Sequence, residues 1–282
     1  EVANGLAETV MTFSGRRLRN ILIALLAAVA LFIIHDVYRA ALFQEQFLSG
    51  WILFVSVLIL TAYNARKKIT MLPIGSAASW LQVHIYLGLL SVLLFLLHIS
   101  WRIPNGWLEF LLAIFFVGVA LSGVTGLYLS RRLSKLLTRS GEELIFERIP
   151  GFVAELRDEA EKLVVECAAT TGSPTISEYH AAHLAHFFSE PKNSFRHLLG
   201  SNRHLFEMVK QITNMDRYLN DVEREFAEQL GRLMKKKNEL DYQYALQAVL
   251  KGWLFIHIPL TYGMILLATI HLVLAYAYSG GL

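Results

Sequence analysis

The chain has 282 residues, 55% of them hydrophobic and only 17% charged, with a net charge of +3 and a mean hydropathy of +0.44. Soluble domains usually carry about a quarter charged residues, so the deficit points to a membrane protein, long enough for several spans and one modest extramembrane domain. The single cysteine, Cys167, excludes an intrachain disulfide, an all-cysteine iron–sulfur cluster and a C-x-x-C-H attachment; the small net charge says little about nucleic acid, and no nucleic-acid partner is expected.

Five apolar stretches are long enough to cross a bilayer core of about 30 Å, which takes about 20 helical residues. They lie near 20–42, 47–64, 79–101, 107–130 and 252–278. More spans follow the first, so it reads as a membrane helix and not as a cleaved signal peptide. Arg16, Arg17 and Arg19 precede the first span, and Arg66, Lys67 and Lys68 follow the second. Arg131, Arg132 and Lys135 follow the fourth, and Lys235, Lys236 and Lys237 lie upstream of the fifth. A cytoplasmic N-terminus puts all four clusters on the inner side, leaves only Arg39 and Arg102 in outer loops, and puts the C-terminus outside. A bacterial inner membrane is the expected location.

The expected architecture is an all-α integral membrane protein. Residues 1–130 carry four transmembrane helices, 131–251 a helical cytoplasmic insert, and 252–282 the fifth transmembrane helix. Within the insert, Phe152 to Val165 has apolar residues at helical spacing, Thr171-Gly172-Ser173-Pro174 breaks the pattern, and Ser177-Glu178 begins another helix. A charged helix is expected from about Ser201 to Lys237, and a separate one from Asn238 into the last span. Such an insert suits a partner platform or a plain solvated connector.

The third and fifth spans share one motif. Trp80, His84 and His98, and again Trp253, His257 and His271, both read W-x3-H-x13-H. At 3.6 residues per turn the two histidines of each span share a face and stand about 21 Å apart along the axis, one near each leaflet. The two spans run parallel, so His84 can meet His257 in the inner leaflet and His98 can meet His271 in the outer. Two imidazoles from facing helices with a porphyrin between them give six-coordinate iron, which has no open position for a small substrate and suits electron transfer. The expected cofactors are two haem b groups in a dihaem four-helix bundle, with the four histidines as iron ligands. Satisfied polar residues, or a proton or metal pathway, are the alternative readings of histidines buried in lipid.

Secondary candidates follow from the same geometry. Gly88, one turn after His84, and Gly123 in the fourth span (with Gly118, Ser122 and Gly126) would let backbone approach a flat macrocycle, or simply another helix. Arg66, Lys67, Arg131 and Lys251 on the inner side and Arg102 on the outer could meet haem propionates. Pro259 should disturb the helix two residues after His257.

Paired histidines at this spacing on two parallel helices resemble the cytochrome b of respiratory bc complexes and the transmembrane family of ferric reductases and NADPH oxidases. The resemblance covers roughly 47–130 and 252–278, and it implies axial ligation by His84, His98, His257 and His271. The insert at 131–251 matches neither pattern. Neither G-x-G-x-x-G after a strand nor G-x-x-x-x-G-K-[ST] occurs, so a nicotinamide-binding domain is not expected.

The sequence therefore predicts an electron-transfer subunit that passes electrons across the bilayer between a quinone pool or redox partner and a partner protein in a larger oxidoreductase complex. The rival reading is a haem-based redox sensor or scaffold signalling through its cytoplasmic helices. His35 and Asp36, followed by Tyr38 and Arg39, could serve a quinone near the outer end of the first span or form an interfacial cluster. His180, His183 and His186 offer a metal site or a histidine-rich polar face; His197 and His204 are fainter candidates.

Overall fold

The computed structural model describes residues 13–41, 45–68, 76–139, 144–189, 203–215 and 217–278. Among them there is no strand. Five helices are long and apolar enough to cross a membrane. The chain divides into two compact units, one formed by 1–124 with 256–282 and the other by 125–255.

The first unit contains α1 (Phe13–Ala40), α2 (Glu45–Lys68), α3 (Ala77–His98), most of the apolar part of α4 (Trp107–Arg139), and the end of a 58-residue helix, α9 (Asp221–Tyr278). The apolar side chains of these helices point largely outward: Leu26 is 70% exposed, Leu121 64% and Leu266 64%. Exposed leucine costs nothing against lipid, so association rests on close packing and polar contacts. A small buried cluster, Val57, Phe95, Phe116 and Met264, takes one residue from each of α2, α3, α4 and α9, and Phe95 stacks on Phe116 at 4.3 Å. Gly118 lies against Leu260, and Gly263 against the Phe115 ring. α1 sits outside this foursome, tied to α3 where the Asn20 amide donates to Gln82 Oε1 at 2.7 Å.

α3 begins at Ser76, whose hydroxyl accepts from the Ser79 amide. It ends directly after His98 in a turn with two non-glycine residues in the left-handed region, Ser100 (φ 49°) and Trp101 (φ 57°). The Trp101 amide closes the turn on the Leu96 carbonyl. α9 runs through Pro259 without ending, and the Thr261 hydroxyl donates to the His257 carbonyl just before it.

The second unit is built as a water-soluble domain is. On α5 (Ile149–Thr171) the residues Ile149, Val153, Leu156, Ala160, Val164 and Cys167 fall three and four apart and are all buried. They pack with Leu184, Phe188, Met208, Leu230 and Met234 from later helices. Gly172, at φ 67°, terminates α5 in the left-handed conformation that glycine adopts without strain. A short helix, α6 (Thr175–Tyr179), a π turn (His180–Leu184) and α7 (Ala185–Ser189) follow, then α8 (Arg203–Met215). Gln243 and Gln247 hold the Leu144 backbone from both sides, one accepting from its amide and the other donating to its carbonyl.

Two expectations for this region need correction. The chain turns before Asp221, where Asn220 and Glu223 cap α9 reciprocally, each side chain accepting from the other's amide at 2.8 Å. No new helix starts at Asn238, because nothing there breaks the pattern and α9 continues through it. Lys237, counted among the inner basic residues, is fully buried in an ion pair with Asp241 at 2.6 Å and stands 4.4 Å over the Phe187 ring.

Candidate site: two levels of paired histidines

All four helices of the foursome contribute to each of two polar levels inside the first unit. At one level are His98 of α3 and His271 of α9, with ring centres 6.3 Å apart and planes at 84°. The Gln46 carbonyl accepts from His98 Nδ1 at 3.1 Å, and the Ser49 hydroxyl lies 3.3 Å from the same nitrogen. Gly50, the next residue of α2, sits so near that a Cβ there would stand 3.0 Å from His98 Cε1. His271 Nδ1 faces the Glu109 carboxylate of α4 at 3.7 Å.

The other level is made by His84 of α3 and His257 of α9. The Leu60 carbonyl of α2 accepts from His84 Nδ1 at 3.1 Å, and the Tyr63 ring lies 5.2 Å from the imidazole. His257 Nδ1 pairs with the Ser122 hydroxyl at 3.1 Å, and Gly123 faces His257 Cε1. One dipeptide thus recurs: Ser49-Gly50 seats His98 and Ser122-Gly123 seats His257, the serine on the nitrogen and the glycine under the ring edge.

A carbonyl can only accept, so His84 and His98 carry their proton on Nδ1 and present a lone pair at Nε2. The same arrangement orients metal-bound imidazoles in general. Among the described residues no group of three or more His, Cys, Asp or Glu side chains is gathered that could hold a metal ion; each level offers two imidazoles.

The remaining candidates fall elsewhere. Gly88 faces Leu60 of α2. Arg102 and Arg131 are exposed. Lys251 is engaged within the second unit, paired with Glu147 and placed 4.2 Å over the Phe146 ring; that ion pair holds the Glu147 carboxyl below its usual value. Gly126 packs against the Trp253 indole. His35 and Tyr38 line a shallow open groove with Ser49, Ile52 and Leu94. Of the three histidines in the H-x-x-H-x-x-H run, His180 is buried while His183 and His186 are exposed, and His183 stacks on Tyr179. The side chains of Arg16, Arg17, Arg66, Lys67, Lys68 and His204, and all of His197, lie outside the described residues.

Sequence reasoning missed the second partner of every histidine: Gln46, Ser49, Leu60, Ser122 and Glu109. No family model, no curated protein and no solved structure matches the chain.

Proposed function

We propose that the chain is a membrane cytochrome subunit that binds two haem b groups, one between His98 and His271 and one between His84 and His257, and carries electrons across the bilayer. One observation carries the reading. An imidazole nitrogen lies about 1.1 Å from its ring centre and a metal–imidazole bond is about 2 Å long, so two imidazoles sharing one metal have centres about 6 Å apart. The His98 and His271 centres are 6.3 Å apart. The anchored Nδ1 atoms and the small residues under the rings support the same reading.

When bound, haem supplies a one-electron couple, and two protein ligands per iron leave no open coordination position. The chain's own part is to orient. The Gln46 and Leu60 carbonyls fix the tautomer, the serine–glycine seats fix ring position, and the apolar cluster between the levels excludes water. A lipid-soluble quinol is the proposed partner on the side where His35, Tyr38 and Ser49 line a slight groove and Ser49 touches His98. The basic residues Arg19, Arg131, Arg132, Lys135, Lys235 and Lys236 support a cytoplasmic N-terminus and insert in a bacterial inner membrane. Further subunits of an oxidoreductase complex are the proposed protein partners.

A pyridine haemochrome assay on the purified chain tests this, with two haem b per chain as the expected result. His98→Ala and His271→Ala should each remove the same half of the Soret absorbance, and His84→Ala and His257→Ala the other half. A colourless folded protein overturns the reading, and a reduced spectrum shifted by carbon monoxide would favour the gas-sensing alternative.

A further inference from the structure

The described partners at the two levels differ in kind. At the His84–His257 level the partners given above are a backbone carbonyl and a serine hydroxyl, both neutral. At the His98–His271 level one partner is the Glu109 carboxylate, 3.7 Å from His271 Nδ1. Within 13–124 and 256–278 the acidic residues are Asp36, Glu45 and Glu109, and Glu109 is the one placed against an imidazole of the site. Two features hold the Glu109 carboxylate there. It belongs to the first turn of α4, where the helix dipole favours an anion. It also folds back over Gly106 so closely that any Cβ at 106 would collide with it.

From this we propose that Glu109 is a positioning residue that sets the two centres apart in reduction potential and thereby gives electron flow a direction. The inference rests on the two-haem reading. A carboxylate facing the outer nitrogen of a ligating imidazole raises that ligand's basicity, and its negative charge favours the more positive, ferric state of the metal. Both effects lower the potential of the centre between His98 and His271. Electrons then run downhill from that level to the one between His84 and His257, from the outer side toward the cytoplasmic side. The slight groove of His35 and Tyr38 lies beside this lower-potential level.

The test is a spectroscopic redox titration of the purified protein, with each wave assigned by its loss in His271→Ala or His257→Ala. Wild type should give two waves, the lower one belonging to His98–His271. Glu109→Gln should keep two haems and raise the lower wave by about 59 mV, corresponding to about a tenfold change in the ferric-to-ferrous ratio. Gly106→Ala displaces the carboxylate without removing its charge and should move the same wave upward by less, which decides the matter even if Glu109→Gln fails to retain haem. Ser122→Ala should leave that wave where it is. Waves unmoved by both the 109 and 106 substitutions, or the lower wave assigned to His84–His257, would overturn the proposal. A wild-type protein without Soret absorbance would defeat the two-haem reading instead.

Discussion

The two units of this chain bury polar groups by opposite rules. In the helical unit 125–255, an extensive apolar core surrounds one fully buried ion pair, Lys237–Asp241, on a single helix. In the membrane unit the apolar side chains face outward, and the interior holds imidazoles whose partners come from neighbouring helices. Water drives the helical unit together by the hydrophobic effect. Lipid supplies no such drive, so the membrane unit depends on tight glycine contacts and interhelical polar pairs. Charge inside the helical unit stabilises only if paired, whereas the polar levels in the membrane unit are the functional candidates.

Substitutions can break this contrast, and the largest effect is expected in the helical unit. Asp241→Ala leaves the Lys237 ammonium buried without its counterion, a change that typically costs about 3–5 kcal/mol. Segment-resolved hydrogen exchange of the full chain should show faster exchange throughout 144–189 and 221–250, with α2 and α3 unchanged. Equal acceleration in α2 and α3 would mean that the two units do not respond separately.

A smaller, local effect is expected in the membrane unit from Gly50→Val. Its side chain would press on the His98 ring, which already stands at the limit of contact. On the two-haem reading the expected outcome is loss of about half the haem, with exchange in the helical unit unaltered. Retention of both haems would show that the His98 seat tolerates bulk.

The smallest effect sharpens the contrast through pH. His180 is buried, its Nε2 has no hydrogen-bond partner, and burial holds its pKa below the ordinary value, with Glu161 opposing weakly. Its unfolded form therefore takes up a proton more readily than its folded form. Stability is full above an ordinary histidine value of about 6.5 and declines as pH falls below it. Thermal unfolding followed between pH 5 and 8 should show this decline, and His180→Leu should flatten it.

Much of the fold was legible because hydropathy and helical period act locally. The five spans follow from apolar run length, and the meeting of His98 with His271 follows from equal spacing on two helices of like direction. The missed features are of another kind. The cap at Asn220 was readable as an N-x-x-E box, but the charge of the whole segment obscured it. The burial of Lys237 depends on Phe187, fifty residues away in sequence. The carbonyls of Gln46 and Leu60 carry no side-chain signature at all. The repeated Ser-Gly dipeptide was visible, though only the tertiary structure joins each copy to a particular imidazole.

The stacked Phe95–Phe116 pair, with Val57 and Met264, forms a buried apolar cluster at positions between the two histidine levels. On the two-haem reading, an electron crossing this apolar layer would travel without a compensating ion. Each crossing would then be electrogenic, coupled to the transmembrane voltage at about 2.3 kcal/mol per 100 mV for a full traverse. A protein built this way would feel the energised state of its own bilayer.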